Sequence, residues 1–109
     1  MWTPIPFEEI QEMINQLPFQ LNKNEFVFWN LIQITPEKWQ ENTMGKEGGG
    51  FWVVALLGSQ AIYYNDIEEG FNTSSYAQYG LLDKYYCNQS SLVETIKYYY
   101  QYICNAESF

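Results

Sequence analysis

Residues 51–65 constrain the fold of this chain more than any other stretch. Phe51-Trp52-Val53-Val54-Ala55-Leu56-Leu57 and Gln60-Ala61-Ile62-Tyr63-Tyr64-Asn65 are dense in aromatic and β-branched residues and flank Gly58-Ser59. Two such runs around a two-residue, glycine-led turn specify a β-hairpin. If the turn sets the register, Ala55 faces Ile62 and Val53 faces Tyr64 on one surface. Leu56 then faces Ala61, and Val54 faces Tyr63, on the other. Both surfaces are apolar. An outer strand with one wet face would alternate polar and apolar residues, so this hairpin belongs in the middle of a sheet. Helices, a long loop or another subunit must cover it on both sides.

The flanking sequence supplies the covering elements. Phe7, Ile10, Met13, Ile14 and Leu17 recur at helical spacing behind Pro6, and Pro18 closes the pattern, which predicts a helix over 6–17. Ser91 and Glu94 form a capping box ahead of Leu92, Ile96, Tyr99, Tyr100 and Ile103, which predicts a C-terminal helix ending near Cys104. Glu25 to Ile34 is rich in aromatic and branched residues and reads as a long strand. Thr35-Pro36-Glu37-Lys38-Trp39 reads as a capped helical turn, and residues 42–50 as a loop. Phe71 to Ala77 reads as a more polar strand near an edge, and Lys84-Tyr85-Tyr86 as a short fifth. The expected class is therefore α+β: a central antiparallel sheet of four to five strands with an N-terminal and a C-terminal helix. With no repeat or linker, residues 1–109 form one domain.

Thirteen acidic residues face five lysines, with no arginine and no histidine, for a net charge of −8. Such a surface repels phosphate and lacks the side chains that read base edges, which argues against nucleic acid; anionic membrane surfaces are disfavoured for the same reason. The longest apolar run, 51–57, is too short to span a bilayer or to form a signal-peptide core, so a cytoplasmic protein is expected. Cys87 and Cys104 are then expected to be reduced and packed as small apolar groups.

Without histidine, the Ser/His/Asp and Cys/His nucleophile arrangements cannot be assembled, and no catalytic residue, metal site or cofactor is expected. The loop holding Gly45-Lys46 and Gly48-Gly49-Gly50 lacks the order of a phosphate cradle, because Glu47 follows the lysine and a strand comes next. The compact carboxylate cluster is Asp66, Glu68 and Glu69, in a turn at the end of the hairpin. Those residues either bind a hard cation such as calcium, work as the acid and base of a glycosidase, or serve as turn formers. Glu8 and Glu12, one turn apart, make an acidic stripe on the first helix. Tyr98 and Tyr102 project from the flank of the last helix, beside Thr95, and offer rigid contact area with a polar tip.

Gly50-Phe51-Trp52-Val53-Val54-Ala55, Ile62-Tyr63-Tyr64-Asn65-Asp66-Ile67-Glu68-Glu69-Gly70-Phe71-Asn72 and Tyr85-Tyr86-Cys87-Asn88-Gln89, with the Pro36-Glu37-Lys38-Trp39 turn, resemble a family of small uncharacterised bacterial proteins. The resemblance implies a bacterial, single-domain protein and carries over no catalytic residue. It places the Asn65–Gly70 turn beside the Cys87-Asn88-Gln89 segment, as a shared site or a structural latch.

Two function classes follow. The first is a non-enzymatic interaction protein of the immunity or inhibitor type. It would bind a basic protein through Glu8, Glu12, Asp66, Glu68 and Glu69 with the tyrosines as anchors. The second is a small-ligand or metal-binding module, or an enzyme, centred on Asn65, Asp66 and Asn88. A homodimer through an exposed sheet face is a third arrangement.

Overall fold

The computed structural model describes residues 3–45 and 49–106, so residues 46–48 of the glycine-rich loop lie outside the described residues. Along the chain run α1 (Phe7–Asn15), α2 (Leu17–Gln20), α3 (Lys23–Ile32), β1 (Gln33–Glu41), β2 (Phe51–Leu57), β3 (Gln60–Asn65), β4 (Gly70–Ser75), β5 (Leu81–Leu82) and α4 (Leu92–Ala106). The five strands form one sheet in the order β4-β3-β2-β1-β5. β1 to β4 are antiparallel neighbours, and β5 runs parallel to β1. The class is α+β, with the 51–65 hairpin inside the sheet as its two apolar surfaces require.

The register of that hairpin departs from the simple expectation. Ala55 pairs with Ile62 and Leu56 with Ala61, but Val53 pairs with Tyr63 and Trp52 with Tyr64. A bulge between Val53 and Ala55 inserts one residue, so Val54 and Ala55 both turn to the same side of the sheet. Val54, Ala55, Ile62 and Tyr64 pack under the helices with Ile10, Leu17, Trp29 and Ile96. On the opposite face Trp39, Phe51, Val53, Ala61, Tyr63 and Leu82 form a second core, which Ile67, Tyr76 and Tyr85 cover from loops.

Four expectations need correction. Residues 23–32 form a helix, not a strand. Asn22 accepts from the Glu25 N–H at 2.8 Å while Glu25 Oε1 accepts from the Asn22 N–H at 2.9 Å, a complete capping box. Glu25, Phe28, Trp29 and Ile32 are the buried residues, at helical spacing. Burial of that face outweighs the strand preference of its aromatic and branched residues. Residues 35–39 are then strand, not a helical turn, because Glu37 pairs with Val53 and Trp39 with Phe51. Pro36, which has no N–H for a ladder, lies where the β1 register shifts. The fifth strand is Leu81–Leu82 and not 84–86. The first helix stops at Asn15, and Pro18 opens the short α2, since a first-turn residue has no N–H bond to lose.

The C-terminal capping box forms as expected: Ser91 Oγ accepts from the Glu94 N–H at 3.1 Å, and Glu94 Oε1 from the Ser91 N–H at 2.9 Å. α4 is tied to α3 by Lys97, whose Nζ lies 2.7 Å from buried Glu25 Oε1. The lysine's hydrogen bond holds the Glu25 carboxyl below its ordinary value, against the opposing effect of burial.

In the second core the Tyr63 hydroxyl accepts from the Tyr86 N–H at 2.9 Å and donates to the Tyr86 carbonyl at 3.3 Å. Burial pushes its pKa up to about 12, with Glu41 nearby adding to the effect. A group raised in the fold contributes stability that is complete below its ordinary value of 10.0 and is lost as pH rises towards about 12. Tyr63→Phe is expected to cost about 1–2 kcal/mol in denaturant unfolding at neutral pH, and to flatten the loss of stability above pH 10.

Candidate functional site

β4 would be an open sheet edge, but the segment after β5 closes it. The Asp83 N–H bonds the Ser75 carbonyl at 3.0 Å, the Lys84 N–H bonds Ser74 Oγ at 2.9 Å, and the Phe71 N–H bonds the Ser90 carbonyl at 2.8 Å. Between these points buried Asn72 pairs with the backbone of Asn88, accepting from its N–H and donating to its carbonyl, both at 2.9 Å. Asn65, fully buried, donates to the Tyr86 carbonyl at 2.9 Å and accepts from the N–H groups of Ile67 and Glu68. Its amide thus fixes the turn and the strap together. Gln89 reaches across to the Glu68 carbonyl at 3.1 Å. The Asn65–Gly70 turn and the 86–90 strap are joined by the side-chain amides of Asn65 and Gln89, each donating to a main-chain carbonyl of the other segment.

Asp66 holds a different segment. Its Oδ2 accepts from the Ile5 N–H at 2.8 Å, while Trp52 Nε1 donates to the Ile5 carbonyl at 2.8 Å. Burial raises the Asp66 carboxyl above its ordinary value, against the Ile5 hydrogen bond and the charge of Lys38. Its other oxygen, Oδ1, is buried without a hydrogen-bond partner among the described residues.

Two adjoining grooves flank the start of α4. The larger, about 550 Å³, lies between α1, the Glu69 turn and α4; its floor includes Met13, Tyr64, Phe71 and Leu92, and Glu69 and Glu94 line it. The second, about 470 Å³, runs between β4, the strap and α4, lined by Asn72, Thr73, Asn88, Tyr98 and Tyr99. Both share Phe71, Ser90 and Glu94, so together they bend around the first turn of the helix. Among the described residues lining either groove there is no lysine. Tyr64 carries the electrostatic signature of the place: burial raises its hydroxyl, and the charges of Glu69, Asp66 and Glu9 raise it further. The Glu94 carboxyl is lowered, first by the Ser91 N–H and then by the Ser91 hydroxyl, which keeps it anionic.

Of the residues singled out from sequence, the fold brings Glu69 to one groove and Asn88 with Tyr98 to the other. Glu8 and Glu12 are exposed on α1, where Glu12 pairs with Gln16 at 3.3 Å. Tyr102, 64% exposed, sits one turn beyond Tyr98, which is 70% exposed, and lines neither groove. Thr95, three residues before Tyr98, is buried, and its hydroxyl donates to the Ser91 carbonyl. Glu94 had been visible only as a capping residue, and its place between the grooves follows from where α4 docks. Cys87 and Cys104 are exposed and not joined in a disulfide, contrary to the expectation that they pack inside. One lies on the strap, which meets the sheet mainly through its backbone, and the other in the last turns of α4. Among the described residues no three His, Cys, Asp or Glu side chains are grouped to hold a metal ion, and no helix is long and apolar enough to cross a membrane.

No family model matches the chain, and comparisons with curated proteins and with solved structures returned no match.

Proposed function

We propose that this chain is a small, non-enzymatic bacterial interaction protein, of the immunity or inhibitor type, that binds a basic protein partner. The observation that carries the reading is the pair of grooves at the start of α4, where an apolar floor meets the carboxylates of Glu69 and Glu94 without a lysine among the described lining residues. The exposed Glu8 and Glu12 on α1 extend the negative field, and the net charge of −8 gives it range. Tyr98 and Tyr102 offer aromatic contact area along α4. A reducing cytoplasm suits two exposed thiols that do not pair with each other.

Electrostatic steering makes a definite kinetic demand. The partner that co-purifies with the tagged chain from its native cell should be basic. Its association rate should fall at least tenfold between about 0.05 M and about 0.5 M salt, while dissociation changes less. Stopped-flow or surface plasmon resonance measures both rates. A neutral or acidic partner, or an association rate indifferent to salt, overturns the reading.

A further inference from the structure

We infer that the two grooves work as one trough for an extended segment of the basic partner, in which an apolar side chain and a lysine or arginine are close neighbours. The inference rests on the reading of the chain as a receptor for a basic protein, and it adds where that protein docks and what it presents.

Three features of the trough select this occupant. The larger groove has the volume of a ligand site, roughly 300–1,000 Å³, and its floor of Tyr64, Phe71 and Leu92 rewards an apolar anchor. The same groove is lined by Glu69 and Glu94. An anionic ligand attracted by the positive end of α4 therefore meets carboxylates, and the Glu94 N–H that would receive it is already held by Ser91 Oγ. A cation is the complementary charge. The groove then continues past Ser90 and Glu94 into the second hollow, where Tyr98 stands exposed. A chain running on from the first hollow would lay a planar or cationic group against that ring. An open, bent trough of this kind fits a backbone with successive side chains better than a compact small molecule.

The test uses the whole chain, isotope-labelled, and two synthetic hexapeptides: one alternating leucine and arginine, the other alternating glycine and arginine. Backbone amide shifts are followed at low salt for the wild type and for the Glu69→Gln, Glu94→Gln double variant. Glutamine retains the capping role at position 94, and circular dichroism checks that the fold is kept. The leucine–arginine peptide should shift Glu69 to Phe71 and Ser90 to Tyr98, and should bind the double variant about tenfold more weakly. The glycine–arginine peptide should bind more weakly than its leucine counterpart. Shifts that map elsewhere, for instance to Glu8 and Glu12, overturn the trough but leave the acidic-receptor reading standing. So does affinity that is unchanged in the double variant or equal for the two peptides. Failure of both peptides to bind at low salt overturns the two together.

Discussion

Gly70→Ala is expected to lower stability by about 3 kcal/mol or more, a fall in Tm of roughly 10–20 °C. A Cβ at this position would lie 2.3 Å from the Gln89 Cα and 2.4 Å from the Asn88 carbonyl oxygen. Both are backbone atoms, so no side-chain rotation relieves the clash. The strap must move, and with it go the Phe71 N–H bond to the Ser90 carbonyl and the two hydrogen bonds between the Asn72 amide and the Asn88 backbone. The control is Gly58→Ala in the hairpin turn. There φ is +59° and nothing lies within 4 Å of the added carbon, so only the left-handed backbone penalty of about 1–2 kcal/mol applies. Thermal unfolding followed by circular dichroism compares the two. If Gly70→Ala melts no lower than Gly58→Ala, the strap is not held against β4 as described. Because the strap forms one wall of the second groove, the variant should also lose peptide binding there.

Glu41→Ala carries the second large effect, about 3 kcal/mol. The side chain is 2% exposed at the end of β1. Its carboxylate accepts from the N–H groups of Thr43 at 3.0 Å, Met44 at 2.6 Å and Gly45 at 3.0 Å. Removing it leaves the N–H groups of Thr43 and Met44 without their acceptor, while the Gly45 N–H keeps its second bond, to the Glu41 carbonyl at 3.1 Å. Burial by itself would raise the Glu41 carboxyl, but the backbone N–H groups outweigh it and the net shift is downward from 4.5. A carboxyl lowered in the fold contributes stability that is complete above the unfolded value and is lost as pH falls through the folded one. Acid below about pH 4.5 should therefore destabilise the protein through Glu41, and through Glu25, which is lowered as well. Asp66, raised in the fold, works the other way: its protonation in acid favours the folded state and offsets part of the loss. Glu41→Gln keeps one acceptor oxygen, and its stability should converge on that of the wild type as pH drops. Urea unfolding across pH 3 to 7 reads this out. A constant gap between the two proteins over that range would rule out the ionised, hydrogen-bonded Glu41.

Local sequence was most legible where a turn or a cap carried its own chemistry. The Gly58-Ser59 hairpin and the Ser91–Glu94 box both form where the residues place them. The α3 region was misread because Phe26, Val27, Phe28 and Trp29 favour strands as isolated residues. The signals that would have corrected this were the Asn22-to-Glu25 capping spacing and the recurrence of 25, 28, 29 and 32. The bulge at Val54 had no comparable signal, since both residues it turns inward are ordinary core residues.

For the site the division is sharper. Exposure of Glu8, Glu12, Tyr98 and Tyr102 could be read from helical period, because each depends only on which face of its own helix is apolar. That Asn65 and Asn72 are spent on backbone of the strap could not, because their partners lie 21 and 16 residues away, respectively. Composition and patterning by themselves determined an acidic α+β chain with a buried central hairpin, since charge is a sum over residues and burial follows hydrophobic period. The tertiary structure decided which carboxylates are structural, as Glu41 and Glu25 are, and which face solvent at the head of α4. Long-range docking of strap and helix sets that difference, and no local preference encodes a partner so far along the chain.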